Sequence, residues 1–225
     1  MLKDLFTNVK HVVFSLLFPE NCRGCGKADV LLCEECLALV PENHENPYKN
    51  VWSIFPYENR LIRKSIQDLK FKNRKEFAAP LGAALYEYLI DLLADENLFS
   101  GNCGKVTWLI VPVPLSKERL KTRGYNQAGL IGQSIVDKDK SDIFIMDNSV
   151  LYKRHETVSQ VEIKDRKRRL ENLKGLFAVR NAQLIHKAHI IVLDDVVTTG
   201  ATMREAMKTL RSAGARKVIG LSVAH

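Results

Sequence analysis

Long apolar runs are missing from this chain of 225 residues. Unbroken apolar stretches extend over only a few residues, far short of the roughly 18 that span a bilayer, and the mean hydropathy is −0.14. No transmembrane helix is therefore expected. The N-terminal segment also lacks the apolar core and small-residue cleavage site of a secretory signal, so we expect a cytoplasmic protein.

Disordered and repetitive classes are excluded by composition. Hydrophobic residues make up 46% and charged residues 27%, and the sequence shows no internal repeat and no low-complexity tract. The length suits one full core plus a small appendage. Lys and Arg number 34 against 26 Asp and Glu, a net charge of +8 that favours polyanionic partners such as nucleic acid, phosphate esters or acidic membrane surfaces.

The first 50 residues differ in character from the rest. Apolar residues recur at helical spacing over residues 2–18, which predicts an amphipathic helix that packs on its own domain or lies on a membrane surface. Residues 20–50 then hold four of the five cysteines and no long periodic segment. We therefore predict an N-terminal module over residues 1–50 and a second domain over residues 51–225.

The second domain alternates strands and helices. Apolar strand patterns begin at Val51 and occur at 107–113, 143–146, 177–179, 189–193 and 218–223. Helical patterns lie around 61–69, over 77–93, from Asn126 onward and over 203–210. Continuous apolar strands that alternate with helices predict an α/β fold, a parallel sheet covered by helices on both faces.

The most informative segment is HIIVLDDVVTTGATMREAMKTLRSAG, residues 189–214, an apolar strand followed by two carboxylates, a Thr/Gly-rich turn and an amphipathic helix. Free N–H groups at a helix N-terminus favour a phosphate, and Gly200 lets the backbone approach it. The hydroxyls of Thr198, Thr199 and Thr202 can add donors. Asp194 and Asp195 suit sugar hydroxyls or a metal ion; the alternative is an ordinary turn whose aspartates cap the helix. A P-loop spacing is absent.

Three segments carry concentrated positive charge. Residues 60–75 hold seven Lys/Arg against Asp68, residues 152–169 hold seven against three acids, and residues 117–123 hold four against one. If they converge, they would form a groove for a nucleic-acid backbone beside aromatic rings for bases; otherwise they are solvated helix faces. The nucleic-acid candidates are Lys70, Lys72, Arg119, Arg123 and Tyr125, with Phe71 and Tyr152 as neighbouring rings.

Four cysteines form two C-x₂-C pairs, Cys22/Cys25 and Cys33/Cys36, separated by seven residues. In a reducing compartment, four thiolates at this spacing suit one tetrahedral zinc that helps a small module to fold. An iron–sulfur cluster and redox-active disulfides are the alternatives.

The segment VLDDVVTTGAT resembles the phosphoribosyl-pyrophosphate (PRPP) motif of type I phosphoribosyltransferases. The resemblance implies that Asp194 and Asp195 bind ribose hydroxyls, that the loop holds the 5′-phosphate, and that magnesium bridges ribose and pyrophosphate. It also implies a pyrophosphate loop after strand 107–113, with Pro114, Leu115, Ser116 and Lys117 as candidates. The full PRPP set is Asp194, Asp195, Val196, Val197, Thr198, Thr199, Gly200, Ala201 and Thr202.

The order of motifs over the whole chain resembles the ComF/ComFC family of competence-associated phosphoribosyltransferase-like proteins. These motifs are CRGC…CEEC, LKFKNR, VPVPL…RLKTRGYNQA, RHETVSQ…NLKGLFAV and VLDDVVTTGAT. The resemblance implies cytoplasmic handling of single-stranded DNA in natural transformation, and leaves open a contact with the cytoplasmic face of the membrane-bound uptake machinery. Many members carry further cysteines after the first four, and residues 37–51 have none.

Two classes of function follow from these resemblances. One is an enzyme, a phosphoribosyltransferase with an unassigned acceptor, which works with single-stranded DNA or in sugar or nucleotide metabolism. The other is a non-catalytic scaffold that binds nucleic acid. The acid pair discriminates between them, because turnover requires it and simple DNA binding does not.

Overall fold

The computed structural model describes residues 21–43, 46–95, 100–101, 104–154 and 175–225. The amphipathic helix predicted over residues 2–18 and most of the basic segment 152–169 lie outside these ranges.

Regular elements fill most of the described chain. The helices are α1 Glu34–Ala38, α2 Arg60–Phe71, α3 Ala78–Asp95 (after a 3₁₀ turn, Lys75–Phe77), α4 Lys117–Arg123, α5 Gln127–Lys138, α6 Ala182–Ile185 and α7 Ala201–Ser212. The strands are β1 Val51–Phe55, β2 Ser100–Gly101, β3 Gly104–Lys105, β4 Trp108–Pro112, β5 Phe144–Met146, β6 Leu151–Lys153, β7 Phe177–Val179, β8 His189–Val196 and β9 Lys217–Ala224.

Five strands form one sheet in the order β1-β9-β8-β4-β5, and every neighbouring pair is parallel. In the central register, Ile191 of β8 lies between Ile110 of β4 and Ile219 of β9. β1, β4 and β8 read as near-continuous apolar runs because such strands are buried on both faces. The predicted α/β fold with a parallel sheet is confirmed.

Alternate residues of β8 serve two different cores. Ile191 and Leu193 pack under α2, α3 and α5 on one face of the sheet, whereas Ile190 and Val192 pack with α7 and the β6–β7 hairpin on the other. Side chains alternate along a strand with a period of two. The two aspartates that follow Leu193 must therefore turn to opposite faces.

Two sequence predictions were wrong in detail. Residues 177–179 form a strand, but it pairs antiparallel with Leu151–Lys153 in a separate hairpin and does not join the parallel sheet. The basic segment 117–123, where no helical pattern was predicted, is helix α4, because Ser116 caps it by accepting from the N–H of Arg119 at 3.2 Å.

The helix Lys75–Asp95 is, by length and composition, apolar enough to cross a membrane, which is weak evidence on its own. Its Leu81, Leu85, Leu89 and Leu93 are fully buried and pack against α5 and the sheet. Core helices of soluble proteins pass the same test, and this helix is part of the domain core.

Candidate functional site

A cleft of about 710 Å³ opens at the carboxyl edge of the sheet. It exists because β8 is longer than its neighbour: Leu193 pairs with Pro112 at the end of β4, and the last residues of β8 continue beside β9. The residues that line it are Tyr57, Gln67, Lys70, Phe71, Asn73, Val113, Pro114, Leu115, Ser116, Glu118, Arg119, Thr122, Arg123, Tyr125, Lys153, Leu176, Asp194, Asp195, Val196, Thr198 and Thr202. The structure thus brings the acid pair, the Thr-rich loop and the segment after β4 together.

Asp195 faces the α2 side of the sheet, as the alternation along β8 requires. Lys70, near the end of α2, places its Nζ 2.7 Å from Asp195 Oδ1, and both side chains are largely buried. Lys70 was predicted as a nucleic-acid contact from its place in a basic segment. In the structure Lys70 is an inward-facing partner of the acid pair, and its contact with nucleic acid stays a prediction.

Asp194 carries an unusual carboxyl group. Burial, and then the adjacent charge of Asp195, raise its pKa to about 7, while the nearby charge of Lys70 acts in the opposite direction. An oxygen of Asp194 also accepts the backbone N–H of Asp195 at 2.9 Å. The two carboxylates therefore share a site that disfavours double ionisation near neutral pH.

This raised pKa predicts a pH-dependent stability. Between the ordinary carboxyl pKa near 4 and about 7, the folded protein holds a proton that the unfolded chain has lost, so the free energy of unfolding falls as pH rises. Asp194→Asn cannot ionise and escapes this loss. We expect the difference in melting temperature, variant minus wild type, to be larger at pH 8 than at pH 5. Asp91→Asn, at an exposed position of α3, is the control; equal pH profiles for wild type and Asp194→Asn would contradict the assignment.

The Thr-rich loop leads directly into α7. Thr198 and Thr199 are exposed, Gly200 precedes the helix with φ +66°, and Ala201 is its first residue. Val196 lines the cleft. Val197 instead is buried and donates its N–H to Ala224 O at 3.0 Å. Neither its side chain nor its N–H is therefore available to a ligand.

Tyr48 and His225 contact backbone carbonyl groups of this segment, and neither residue was predicted from the sequence. Tyr48 donates its hydroxyl to Thr198 O at 2.9 Å, and His225 Nδ1 lies 2.8 Å from Val197 O. The Arg204 guanidinium stacks over the Tyr48 ring at 4.6 Å. Tyr48 and Thr198 are 150 residues apart, and no local pattern links them.

The facing wall of the cleft is Pro114–Ser116 and helix α4. Arg119 and Arg123 both line it, and Arg123 Nη1 donates to Gln127 Oε1 at 2.9 Å. Burial lowers the Arg123 pKa, an effect that Asp195 partly offsets. Lys117 is the first residue of α4, directly after the lining segment. Two arginines thus line the same cleft as the two aspartates.

The remaining nucleic-acid candidates differ in how far their side chains are exposed to solvent. Tyr125 is only 8% exposed, and its hydroxyl donates to Leu69 O at 2.5 Å, so its ring supports α2 and cannot stack on a base. Lys72 is exposed and pairs with Asp68 at 2.7 Å. Phe71, by contrast, is 70% exposed at the mouth of the cleft, with the Arg123 guanidinium 5.1 Å from its ring centre.

The four cysteines of the two pairs lie together, as the spacing predicts. Their sulfur atoms are all within 4.8 Å of one another, with Cys22 and Cys33 3.5 Å apart and Cys25 and Cys33 3.6 Å apart. Four sulfurs at 2.3 Å from a tetrahedral zinc would be separated by about 3.8 Å, so the cluster fits that ion.

Cys22 is predisposed to be a thiolate. Burial acts to raise its pKa, but backbone N–H groups of Cys25, Cys33 and Gly24 outweigh burial and lower it to about 6. Two of these donors lie 3.4 Å from its sulfur. The backbone around Cys22 therefore favours negatively charged sulfur, which is the form that binds a metal.

Comparison with known proteins agrees with this architecture. A family model described as a phosphoribosyl transferase domain matches residues 125–224, which include the acid pair and the Thr-rich loop. Competence protein F of Haemophilus influenzae is 32% identical over 154 residues, 68% of this chain and 63% of that protein. Competence protein ComFC of Streptococcus pneumoniae is 28% identical over 91% of this chain and 80% of its own length. The chain belongs to the ComF/ComFC family.

This assignment confirms the resemblance drawn from the motifs and the phosphoribosyltransferase fold. The DNA utilization protein YhgH of Salmonella typhimurium is a further relative, 28% identical over 88% of this chain and 80% of its own length. A solved structure described as an HPRT glutamic acid mutant aligns over 66% of this chain with 12% identity and a TM-score of 0.36, too low to transfer any residue.

Proposed function

We propose that the cleft binds PRPP. The observation that carries the proposal is the convergence of three segments distant in sequence: the acid pair at 194–195, the loop that contributes Thr198 and Thr202, and the wall at 114–116. The amides and hydroxyls at the N-terminus of α7 suit the 5′-phosphate. The two aspartates suit the ribose hydroxyls, and Arg119 and Arg123 suit the pyrophosphate on the opposite wall.

Magnesium fits this proposal through the acid pair. Asp194 and Asp195 offer carboxylate oxygens, the ligands that magnesium prefers, and the ion would neutralise charge on the pyrophosphate. Lys70 keeps one oxygen of Asp195 engaged, so Asp194 and the second oxygen of Asp195 would hold the ion.

The reaction that this arrangement would support is phosphoribosyl transfer. An acceptor forms a bond to the anomeric carbon while the bond from that carbon to pyrophosphate breaks, and pyrophosphate leaves with its electron pair. Arg119 and Arg123 lie where they would stabilise the departing negative charge. Turnover is part of the proposal, and the acceptor is left unassigned.

We further propose that the protein works beside single-stranded DNA in natural transformation, in the cytoplasm. Its relatives carry the names competence protein and DNA utilization protein. An exposed ring flanked by cations can stack on any base, and Phe71 meets that description, with Arg123 on its ring and Lys72 next to it. Phe71 thus takes the stacking role that the buried Tyr125 cannot fill.

The four cysteines complete the proposal as a structural zinc site. Four thiol groups with no open position in a small module are typical of zinc that supports folding. The zinc would be held by Cys22, Cys25, Cys33 and Cys36, and it would take no part in chemistry at the cleft.

The test is a calorimetric titration of magnesium-PRPP into the zinc-loaded protein and into an Asp194→Asn/Asp195→Asn variant. We expect saturable binding to the wild type and its loss from the variant, because the ribose acceptors and the magnesium ligands are both removed. An Asp91→Asn protein is the matched control. Failure of the wild type to bind would overturn the PRPP proposal and leave a nucleic-acid scaffold.

A second arm of the same experiment measures the affinity for a fluorescent single-stranded oligonucleotide. Phe71→Ala should weaken it by roughly five- to hundredfold, because stacking contributes about 1–3 kcal/mol per base. Leu184→Ala removes another exposed apolar side chain, on α6, and should have no effect. Equal affinities for the two variants would exclude Phe71 as a base platform.

A further inference from the structure

The last turn of α2 connects the cysteine module, residues 21–43, to the cleft. Asp68, Leu69 and Lys70 are consecutive, and each is held by a different part of the molecule. Arg23 of the cysteine module reaches Asp68, Tyr125 reaches Leu69, and Lys70 reaches the acid pair. A displacement of this turn would therefore change the position of Lys70 in the cleft.

Arg23 lies inside the first cysteine pair, so the metal-binding turn fixes its backbone. Its neighbour Cys22 is a predicted ligand, and the Arg23 N–H donates to Leu31 O at 2.9 Å. Its Nη2 lies 3.0 Å from Asp68 Oδ2, and it is the cysteine module that projects this guanidinium onto α2.

Asp68 is a buried anchor on α2. Its side chain is only 6% exposed, and its two oxygens are shared between Arg23 and Lys72. Its backbone carbonyl also accepts the N–H groups of Lys72 and Arg74, where the helix ends. A buried carboxylate strongly requires its partners, so the Arg23 contact restricts where α2 can lie.

A second contact runs parallel to the ion pair. Leu61, in the first turn of α2, packs against the cluster of Cys22, Cys33 and Cys36. The cysteine module therefore contacts α2 at both ends, through an apolar contact at the start and a charged contact in the last turn. The helix packs on the sheet through Ile62, Ile66 and Leu69.

We infer that Arg23 is a positioning residue for the cleft: its pairing with Asp68 places the last turn of α2, and with it Lys70 beside Asp195. The inference rests on the proposed PRPP function for its ligand. It makes the affinity of the cleft depend on an intact cysteine module, although none of the four cysteines lines the described cleft.

The primary test compares Arg23→Ala with Lys27→Ala by titration of magnesium-PRPP. Lys27 forms an exposed pair with Glu35 in the same module, so its removal deletes an ion pair without touching α2. We expect Arg23→Ala to weaken binding roughly three- to tenfold and Lys27→Ala to leave it unchanged, with one zinc retained in both. Arg23→Lys, which keeps the charge, should recover part of the affinity.

A double-mutant cycle separates positioning from general damage. If Arg23 acts through Lys70, Arg23→Ala should cost little further affinity in a Lys70→Ala background, whereas independent effects would multiply. Asp68→Asn, which keeps the shape of the side chain, should reproduce the Arg23→Ala effect from the α2 side.

A readout without ligand keeps this inference distinct from the proposed function. Amide hydrogen exchange over residues 68–72 should be faster in Arg23→Ala than in Lys27→Ala. If wild type fails to bind magnesium-PRPP, the proposed function fails, and exchange alone tests the placement of α2. Three results would each overturn the inference. They are unchanged hydrogen exchange in Arg23→Ala, independent effects of the two substitutions in the double-mutant cycle, and loss of zinc from Arg23→Ala.

Discussion

Replacing Gly200 with alanine should abolish tight binding of PRPP at the loop before α7. Gly200 has φ +66°, a conformation that costs an L-residue about 1–2 kcal/mol. An added Cβ would also lie 2.5 Å from two carbons of the Tyr48 ring. Tyr48 cannot retreat without breaking its hydrogen bond to Thr198 and its stacking with Arg204, so the loop itself must move.

Two matched variants separate the parts of this effect. Gly175→Ala has a similar φ of +70°, and its added Cβ would meet none of the described residues within 4 Å, so it reports the backbone cost. Gly200→Ala combined with Tyr48→Ala removes the collision and should recover part of the affinity. Magnesium-PRPP affinity by calorimetry and melting temperature are measured for each variant. Wild-type affinity in Gly200→Ala would show that this loop does not hold the phosphate.

Sequence patterns were sufficient for the sheet because buried parallel strands leave a direct signature. The strand at 189–193 was predicted because it is apolar from Ile190 onward, and in the structure it forms the centre of the sheet. The strand at 177–179 shows the limit, since three residues cannot reveal which strand they pair with. Its partner, Leu151–Lys153, is equally short and was not predicted at all.

The acid pair and the loop that follows it were predictable from the sequence for a similar reason. An acid pair, a glycine and a helix start lie within nine residues, so their arrangement follows from the chain itself. Lys70, Tyr125 and Tyr48 act through contacts across 56 to 150 residues, and composition alone could not reveal the contacts that the first two make inside the domain. The identity of a charge is visible in a sequence, but the direction it faces depends on the packing of α2 against the sheet.

Removing the metal should have the second large effect. Residues 21–43 contain one short helix and little apolar surface of their own, whereas a structural zinc contributes about 10–16 kcal/mol of apparent binding free energy. We expect Cys33→Ser to lower the zinc content from one per chain to near zero. The module should then lose its structure, which limited proteolysis within residues 21–43 and a lower melting temperature would detect.

The fifth cysteine supplies the matched control. Cys103→Ser changes a thiol that lies outside the two C-x₂-C pairs, and it should keep one zinc and the wild-type proteolysis pattern. Because Leu61 and Arg23 join the module to α2, loss of zinc should also weaken magnesium-PRPP binding, and Cys103→Ser should not. Purified protein with iron and visible absorbance in place of zinc would instead support the iron–sulfur alternative. Full zinc content in Cys33→Ser would contradict the four-cysteine site, because it would show that Cys33 is not needed as a ligand.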